Sequence, residues 1–172
     1  KAHAVAYVMM SYRIAYYNVY YPLEFYSAFF TTKVNDFDAE TIMKGSKAVR
    51  EKIELIEAKG KNATNKEAEE LTVLEVAYEM YARGYEFYPA KLGKSHEIRF
   101  LPEDGKVRLP FSALSGVGEN AARALVTEYA KKPFLSIDDM SSRAKLNKTA
   151  IKALTEHGVL SELPESDQLS LF

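Results

Sequence analysis

The stretch Phe111–Val126, FSALSGVGENAARALV, constrains the fold more than any other part of this 172-residue chain. Apolar residues at Phe111 and Leu114 end one short helix, Gly116-Val117-Gly118 makes a tight turn, and Ala122, Leu125 and Val126 mark the packed face of a second helix. The glycines let the backbone turn sharply and let another chain approach with no Cβ in the way. The amides of Gly116, Val117 and Gly118 are then expected to point outward at the amino end of a helix. Unsatisfied N–H groups and the helix dipole favour a phosphate oxygen there. An isolated Gly-x-Gly is more often a plain turn between packed helices, but here the flanking apolar and small positions all fit.

A second, degenerate unit follows in FLSIDDMSSRAKLNKTAIKALTEHGVLSEL. Ser136 is expected to cap Ile137–Arg143 and Asn147 to cap Lys148–Glu156, with Gly158 as the stop. It lacks the Gly-x-Gly turn. Lys145, Lys148 and Lys152 are candidates for phosphate contacts, with a solvated helix face as the alternative reading. The spacing of the first unit matches the helix-hairpin-helix motif, which grips a nucleic-acid backbone and reads no sequence.

Upstream the pattern is helical. Residues from about Ala2 to Tyr20 read as one aromatic-rich helix ending before Pro22, which suits the first turn of a short helix over Leu23–Phe30. Both are expected to be partly buried, with Tyr16, Tyr17, Tyr20 and Tyr26 in the core or at its polar-tipped edge. Asp36 or Asp38 opens the next helix, with Ile42, Met43, Val49, Ile53 and Ile56 at helical spacing, Gly45 weakening its middle and Gly60 ending it. Thr64–Glu67 reads as a capping box that starts a helix running to Gly84, and these two helices are expected to pair antiparallel. The period then shifts to two: Ile98, Phe100, Val107 and Leu109 flank Pro102-Glu103-Asp104-Gly105, which predicts a hairpin at about 96–109. A domain boundary is expected near 84–95.

Charge and composition limit the function. The net charge of -1 argues against a wholly basic nucleic-acid binder, yet residues 31–90 carry 9 basic and 12 acidic side chains and 91–163 carry 12 and 9. A backbone-amide phosphate site suits that mild basic excess. The chain has no cysteine, which removes disulfides, thiolate metal sites and cysteine nucleophiles and makes a reducing cytoplasm the expected compartment. Arg13 and Asn18 interrupt the best apolar run, well short of the ~20 residues a spanning helix needs, so no membrane segment is expected. The acidic residues cluster as Asp36/Asp38 and Glu67/Glu69/Glu70 at helix starts, where capping and the dipole explain them. Two-metal chemistry needs carboxylates converging on ions ~4 Å apart. No catalytic and no metal residue is assigned. Because the chain opens on Lys1 inside an apparent helix, it reads as a piece cut from a larger protein.

KAHAVAYVMMSYRIAYYNVYYPLEFYSAFFT, with Lys1, His3, Tyr7, Tyr21, Pro22, Glu24 and Phe25, resembles the fingers segment of bacterial family C replicative polymerases. The last five residues, Gln168-Leu169-Ser170-Leu171-Phe172, are similar to the pentapeptide by which bacterial polymerases hold the ring-shaped sliding clamp. Their place directly behind the helix-hairpin-helix unit resembles the PolC type of DNA polymerase III alpha subunit. The resemblance runs over essentially the whole chain and implies a mainly α fold. It comprises a helical fingers segment (1–90), a duplex-DNA-binding domain with a small β-hairpin and the helix-hairpin-helix (91–163), and a flexible clamp-binding tail (164–172). It further implies a nucleotidyltransferase of the cytoplasm, at the nucleoid and replisome. That enzyme uses deoxynucleoside triphosphates, primer-template DNA, the sliding clamp and Mg2+ held by palm aspartates outside this chain, which is therefore expected to be inert alone. His3, Tyr7 and Arg13 become candidates for nucleotide or template contact, and Gly116, Val117, Gly118, Lys145 and Lys148 for the DNA backbone. In the tail, Gln168 is the expected polar anchor, Leu169 and Ser170 the strand-like approach, and Leu171 with Phe172 the apolar plug. The alternative is a non-catalytic DNA-binding or repair module that docks on the clamp, since both the hairpin motif and the pentapeptide are portable.

Overall fold

The computed structural model describes residues 2–166. Eight α-helices and one small sheet follow in the order α1 (Ala2–Tyr20), α2 (Pro22–Thr32), α3 (Ala39–Ile42), α4 (Ser46–Glu57), α5 (Asn65–Ala82), β1 (Glu86–Tyr88), β2 (Leu101–Glu103), β3 (Lys106–Arg108), α6 (Glu119–Lys131), α7 (Ile137–Ala144) and α8 (Lys148–Glu156). The chain is mainly α, as its periodicity predicts.

Local chemistry accounts for most boundaries. Pro22 opens α2 at a position whose N–H would be unsatisfied in any case. Asp38, not Asp36, caps α3, its carboxylate accepting from the Thr41 amide at 3.1 Å. The expected long helix after Asp38 is broken in two, because Gly45 takes φ +96 and ends one helix before the next begins at Ser46. The capping box at Thr64 is complete: Glu67 N–H donates to the Thr64 hydroxyl at 3.2 Å and the Thr64 N–H donates back to Glu67 at 2.9 Å. α4 and α5 then pack side by side across the short connection.

The hairpin is shorter than its sequence pattern suggests. β2 and β3 pair antiparallel over three residues each, and the turn between them places Asp104 at φ +48 and Gly105 at φ +81, as a two-residue primed turn requires. Ile98 and Phe100 lie before the strand. A third strand not anticipated, β1, pairs parallel with β3, giving the order β1-β3-β2. Three residues of Glu86–Tyr88 are too few to show a period. Arg108 ties the sheet together: it is buried, donates to both oxygens of Glu103 at 2.5 and 2.9 Å and to the Pro89 carbonyl at 2.7 Å, and stacks over the Tyr88 ring at 4.5 Å.

One continuous cluster of buried side chains runs from Tyr26 to Leu160. Its aromatic centre is Phe30, whose ring lies 5.2 Å from Phe87, 5.5 Å from Phe37 and 5.6 Å from Phe100, so α2, β1 and the flanking loops share one core. α1 stands apart. Contrary to expectation, it is exposed along its length: Tyr16, Tyr17 and Tyr20 are more than half exposed, and of the four tyrosines named above only Tyr26 is buried.

Candidate nucleic-acid interface

Residues 111–118 form the turn. Phe111–Ala113 make a single 3-10 turn in place of the expected short α-helix, since Pro110 before it and the extended Leu114 after it leave room for no more. Phe111 and Leu114 are buried, and so is Val117. The Val117 amide does not point outward: it donates to the Leu114 carbonyl at 2.9 Å and closes the turn. Gly116 has φ +94, and a Cβ built there would lie 3.3 Å from Thr149 Cγ2 and 3.4 Å from Ala153 Cβ. This glycine therefore serves both the turn and close packing on α8.

Gly118 is different. It is the N-cap of α6 at φ -69, offers no side chain to the helix end, and has nothing within 4 Å of the place a Cβ would take. The amides of Gly118, Glu119 and Asn120 have no hydrogen-bond partner among the described residues. Behind them α6 runs for 13 residues, anchored by the fully buried Ala122 and Leu125 with Val126 half-buried. Free donors, an aligned dipole and open space in front make an anion-accepting end.

The second unit forms as its caps predict. Ser136 accepts from the Asp139 amide at 3.0 Å to start α7, and Asn147 accepts from the Ala150 amide at 2.8 Å to start α8. Lys145 ends α7 in the left-handed conformation at φ +50. Because Gly116 rests on Thr149, the fold brings the hairpin beside the first turn of α8, where Lys148 is exposed. Lys145 and Lys148 make no ion pair among the described residues, whereas Lys152 lies 3.6 Å from Glu156.

Gly116, Val117 and Gly118 also border a cleft of about 630 Å³ whose charged lining is Asp36, Asp38, Glu40, Glu70, Lys52 and Lys66. Lys52 is committed to Glu70 at 3.2 Å and Asp38 at 3.9 Å, so the cleft presents a net negative wall. Inside the cleft these carboxylates disfavour a phosphate, whereas Lys145 and Lys148 lie towards α8 and are not among the residues that line it. His96, whose carbonyl receives the Phe111 N–H, adds no cation: burial, and secondly the Arg99 charge, hold its imidazole below its ordinary range. Sequence reasoning missed these acidic neighbours of the hairpin, because residues 36–70 and 112–118 meet only in the tertiary structure.

His3 and Tyr7 share one face of α1, their rings 4.5 Å apart in an edge-to-face contact. At about 100° per residue, Arg13 lies roughly 120° round the helix from Tyr7, so the three do not converge. Gln168, Leu169, Ser170, Leu171 and Phe172 lie outside the described residues. Among the described residues no group of three or more His, Asp or Glu side chains is placed to hold a metal ion, and no helix is long and apolar enough to cross a membrane.

The helix-hairpin-helix motif family matches residues 84–169, half of the chain. The chain belongs to the helix-hairpin-helix family. Over all 172 residues it is also 49% identical to the DNA polymerase III PolC-type of Halalkalibacterium halodurans and 47% identical to that of Clostridium perfringens. The Thermotoga maritima protein of the same description is 43% identical over 173 aligned positions. In each case the match covers the whole of this chain and 12% of the relative. The helix-hairpin-helix match takes in the sheet and both helical units, while α1 to α5 are covered by the similarity to the PolC-type proteins alone.

Proposed function

We propose that this chain is one part of a replicative DNA-directed DNA polymerase and that residues 91–163 hold duplex DNA by its phosphate backbone, without regard to sequence. The observation that carries this reading is the uncapped amino end of α6 behind Gly118, in a chain similar throughout its length to PolC-type polymerases. Lys145 and Lys148 supply cations beside it. Residues 1–90 act as a fingers segment, with His3 and Tyr7 offering rings to a nascent base pair and Arg13 a cation to a triphosphate. Residues 164–172 act as the tether to the sliding clamp. Mg2+ and the carboxylates that hold it belong to the rest of the polymerase, and no step through the metal is derived from this chain. The repair-module alternative has less support, because the similarity to polymerases extends through α1 to α5 as well as the portable hairpin.

Gly118 is the residue to test. A Cβ there has no neighbour within 4 Å, whereas Gly116 cannot be replaced without straining the turn and pressing on α8. Gly118→Val is expected to keep the fold at a modest cost of about 1 kcal/mol, since valine is a poorer N-cap than glycine. It should weaken binding to two duplexes of unrelated sequence about tenfold and equally, the loss of one charge-assisted hydrogen bond. Fluorescence anisotropy at matched salt measures it. Parent-like affinity in the folded variant, or a loss confined to one duplex, overturns the assignment.

A further inference from the structure

The exposed helix α1 lies against α2 around Phe25, and among the described residues the side-chain hydrogen bonds that tie it to the rest of the molecule come from Arg83. Tyr21, at φ -136 and ψ 57, bends the chain between α1 and α2, and Pro22 follows. In an unbroken helix the Asn18 carbonyl would accept from the amide of residue 22, but proline has none. Arg83, just past the end of α5, supplies the missing donor: its Nη2 donates to the Asn18 carbonyl at 2.8 Å. Its Nη1 donates to Asn18 Oδ1 at 2.7 Å, to the buried Tyr26 hydroxyl at 2.9 Å and to Glu79 at 3.3 Å. The guanidinium also lies 5.5 Å from the Tyr26 ring centre and 5.7 Å from that of Tyr85. Asn18 is the single residue between His3 and Tyr20 that is not exposed.

We propose that Arg83 is a positioning residue that fixes the angle of α1 by closing its carboxyl end against α2 and α5. A fixed fork of donors suits this role, because it bonds a carbonyl, an amide oxygen, a phenol and a carboxylate at once, which a lysine's point charge does not. A cation at a helix carboxyl end is also favoured by the dipole. The geometry amplifies any change. His3 lies 15 residues from Asn18, about 22 Å along the helix, so a 10° swing at the bend moves it by about 4 Å. Asn18 lies within about 20° of Tyr7 around the helix axis, so the contact that holds α1 also sets where the His3–Tyr7 face looks. The consequence for nucleotide use rests on the fingers reading above; the fixed angle does not.

The chain has no cysteine, so spin labels at Val5→Cys and Glu75→Cys, both exposed positions, report the angle of α1 to α5 without a competing thiol. In the parent the distance distribution measured by electron–electron double resonance is expected to be narrow. Arg83→Gln and Arg83→Lys should at least double its width, and so should Asn18→Ala, which removes one acceptor from an otherwise exposed helix and serves if Arg83→Gln does not fold. An unchanged width in the folded variants, or a parent already as broad, overturns the proposal. In the complete polymerase the same substitutions are expected to raise the nucleotide KM about tenfold, as a displaced binding group does, with DNA affinity unchanged. A widened distribution with an unchanged KM keeps Arg83 as the positioning residue and removes the nucleotide from the face of α1.

Discussion

Gly116 and Gly118 look equivalent in the sequence and are not. Gly116 is required by its φ of +94 and by the contact with Thr149, while Gly118 leaves a helix end open to solvent. The middle residue, Val117, is spent on the fold: its side chain fills the core and its amide closes the turn. A converse case is Ser27, a buried residue whose hydroxyl has no hydrogen-bond partner among the described residues. A buried, unpartnered hydroxyl is a standing cost of desolvation. Ser27→Ala is therefore expected to leave stability unchanged or raise it by up to about 1 kcal/mol, read from denaturant midpoints. A loss of that size instead means that the hydroxyl is bonded after all, for example to a water.

Within the sheet, Glu103 and Arg108 carry more than their three-residue strands suggest. Arg108 and, secondly, Lys94 hold the Glu103 carboxyl down at about 2. A depressed carboxylate stabilises the fold above its ordinary range near 4.5, and that contribution is lost as pH falls from there towards about 2. Glu67, lowered to about 2 by Lys59 first and by the Thr64 amide next, loses its part in the α5 cap over the same window. Glu103→Gln leaves a buried guanidinium without its countercharge and is expected to destabilise the chain by about 2–3 kcal/mol. It should also flatten the dependence of the thermal midpoint on pH between about 2 and 4.5. A variant as acid-sensitive as the parent would place the titrating group elsewhere.

For the molecule as a whole, alkaline pH offers a clean probe of the α2–α5 core. Burial pushes the Tyr26 phenol up to about 12, with Arg83 opposing and Glu79 adding to the shift, and burial with the Glu86 charge does the same for Tyr81. Both bind a proton more tightly in the folded state, so their contribution is present below pH 10 and lost as pH rises from about 10 to about 12. Thermal midpoints are expected to fall across that window, and Tyr26→Phe with Tyr81→Phe should flatten the fall; an unchanged alkaline dependence in the double variant would contradict the burial. The tail is the other whole-molecule property. If Leu171 and Phe172 fill an apolar cleft on the clamp, their burial is worth roughly 3–5 kcal/mol. A chain ending at Ser170 should then bind purified clamp about a hundredfold more weakly while keeping its thermal stability and duplex affinity. Equal binding by both forms would show that the tail is not the tether.

Features whose physics is local can be read from the chain alone. Thr64 with Glu67, Ser136 and Asn147 cap the helices their side chains can reach within three residues, and Asp104-Gly105 makes the turn its two positive φ values demand. Gly116-Val117-Gly118 likewise announced a hairpin in front of a packed helix. Whatever depends on distant partners emerges on folding. β1 exists because β3 lies beside it, Val117 turns inward because the core behind it is apolar, and the acidic wall of residues 36–70 forms beside the hairpin only on folding. The aromatic helix α1 read as core from its composition, since periodicity reports that a face is apolar and not what covers it. Whether such a face is buried is settled by the neighbours that reach it, and for α1 these include Phe25 of α2 and an arginine 65 residues away from Asn18.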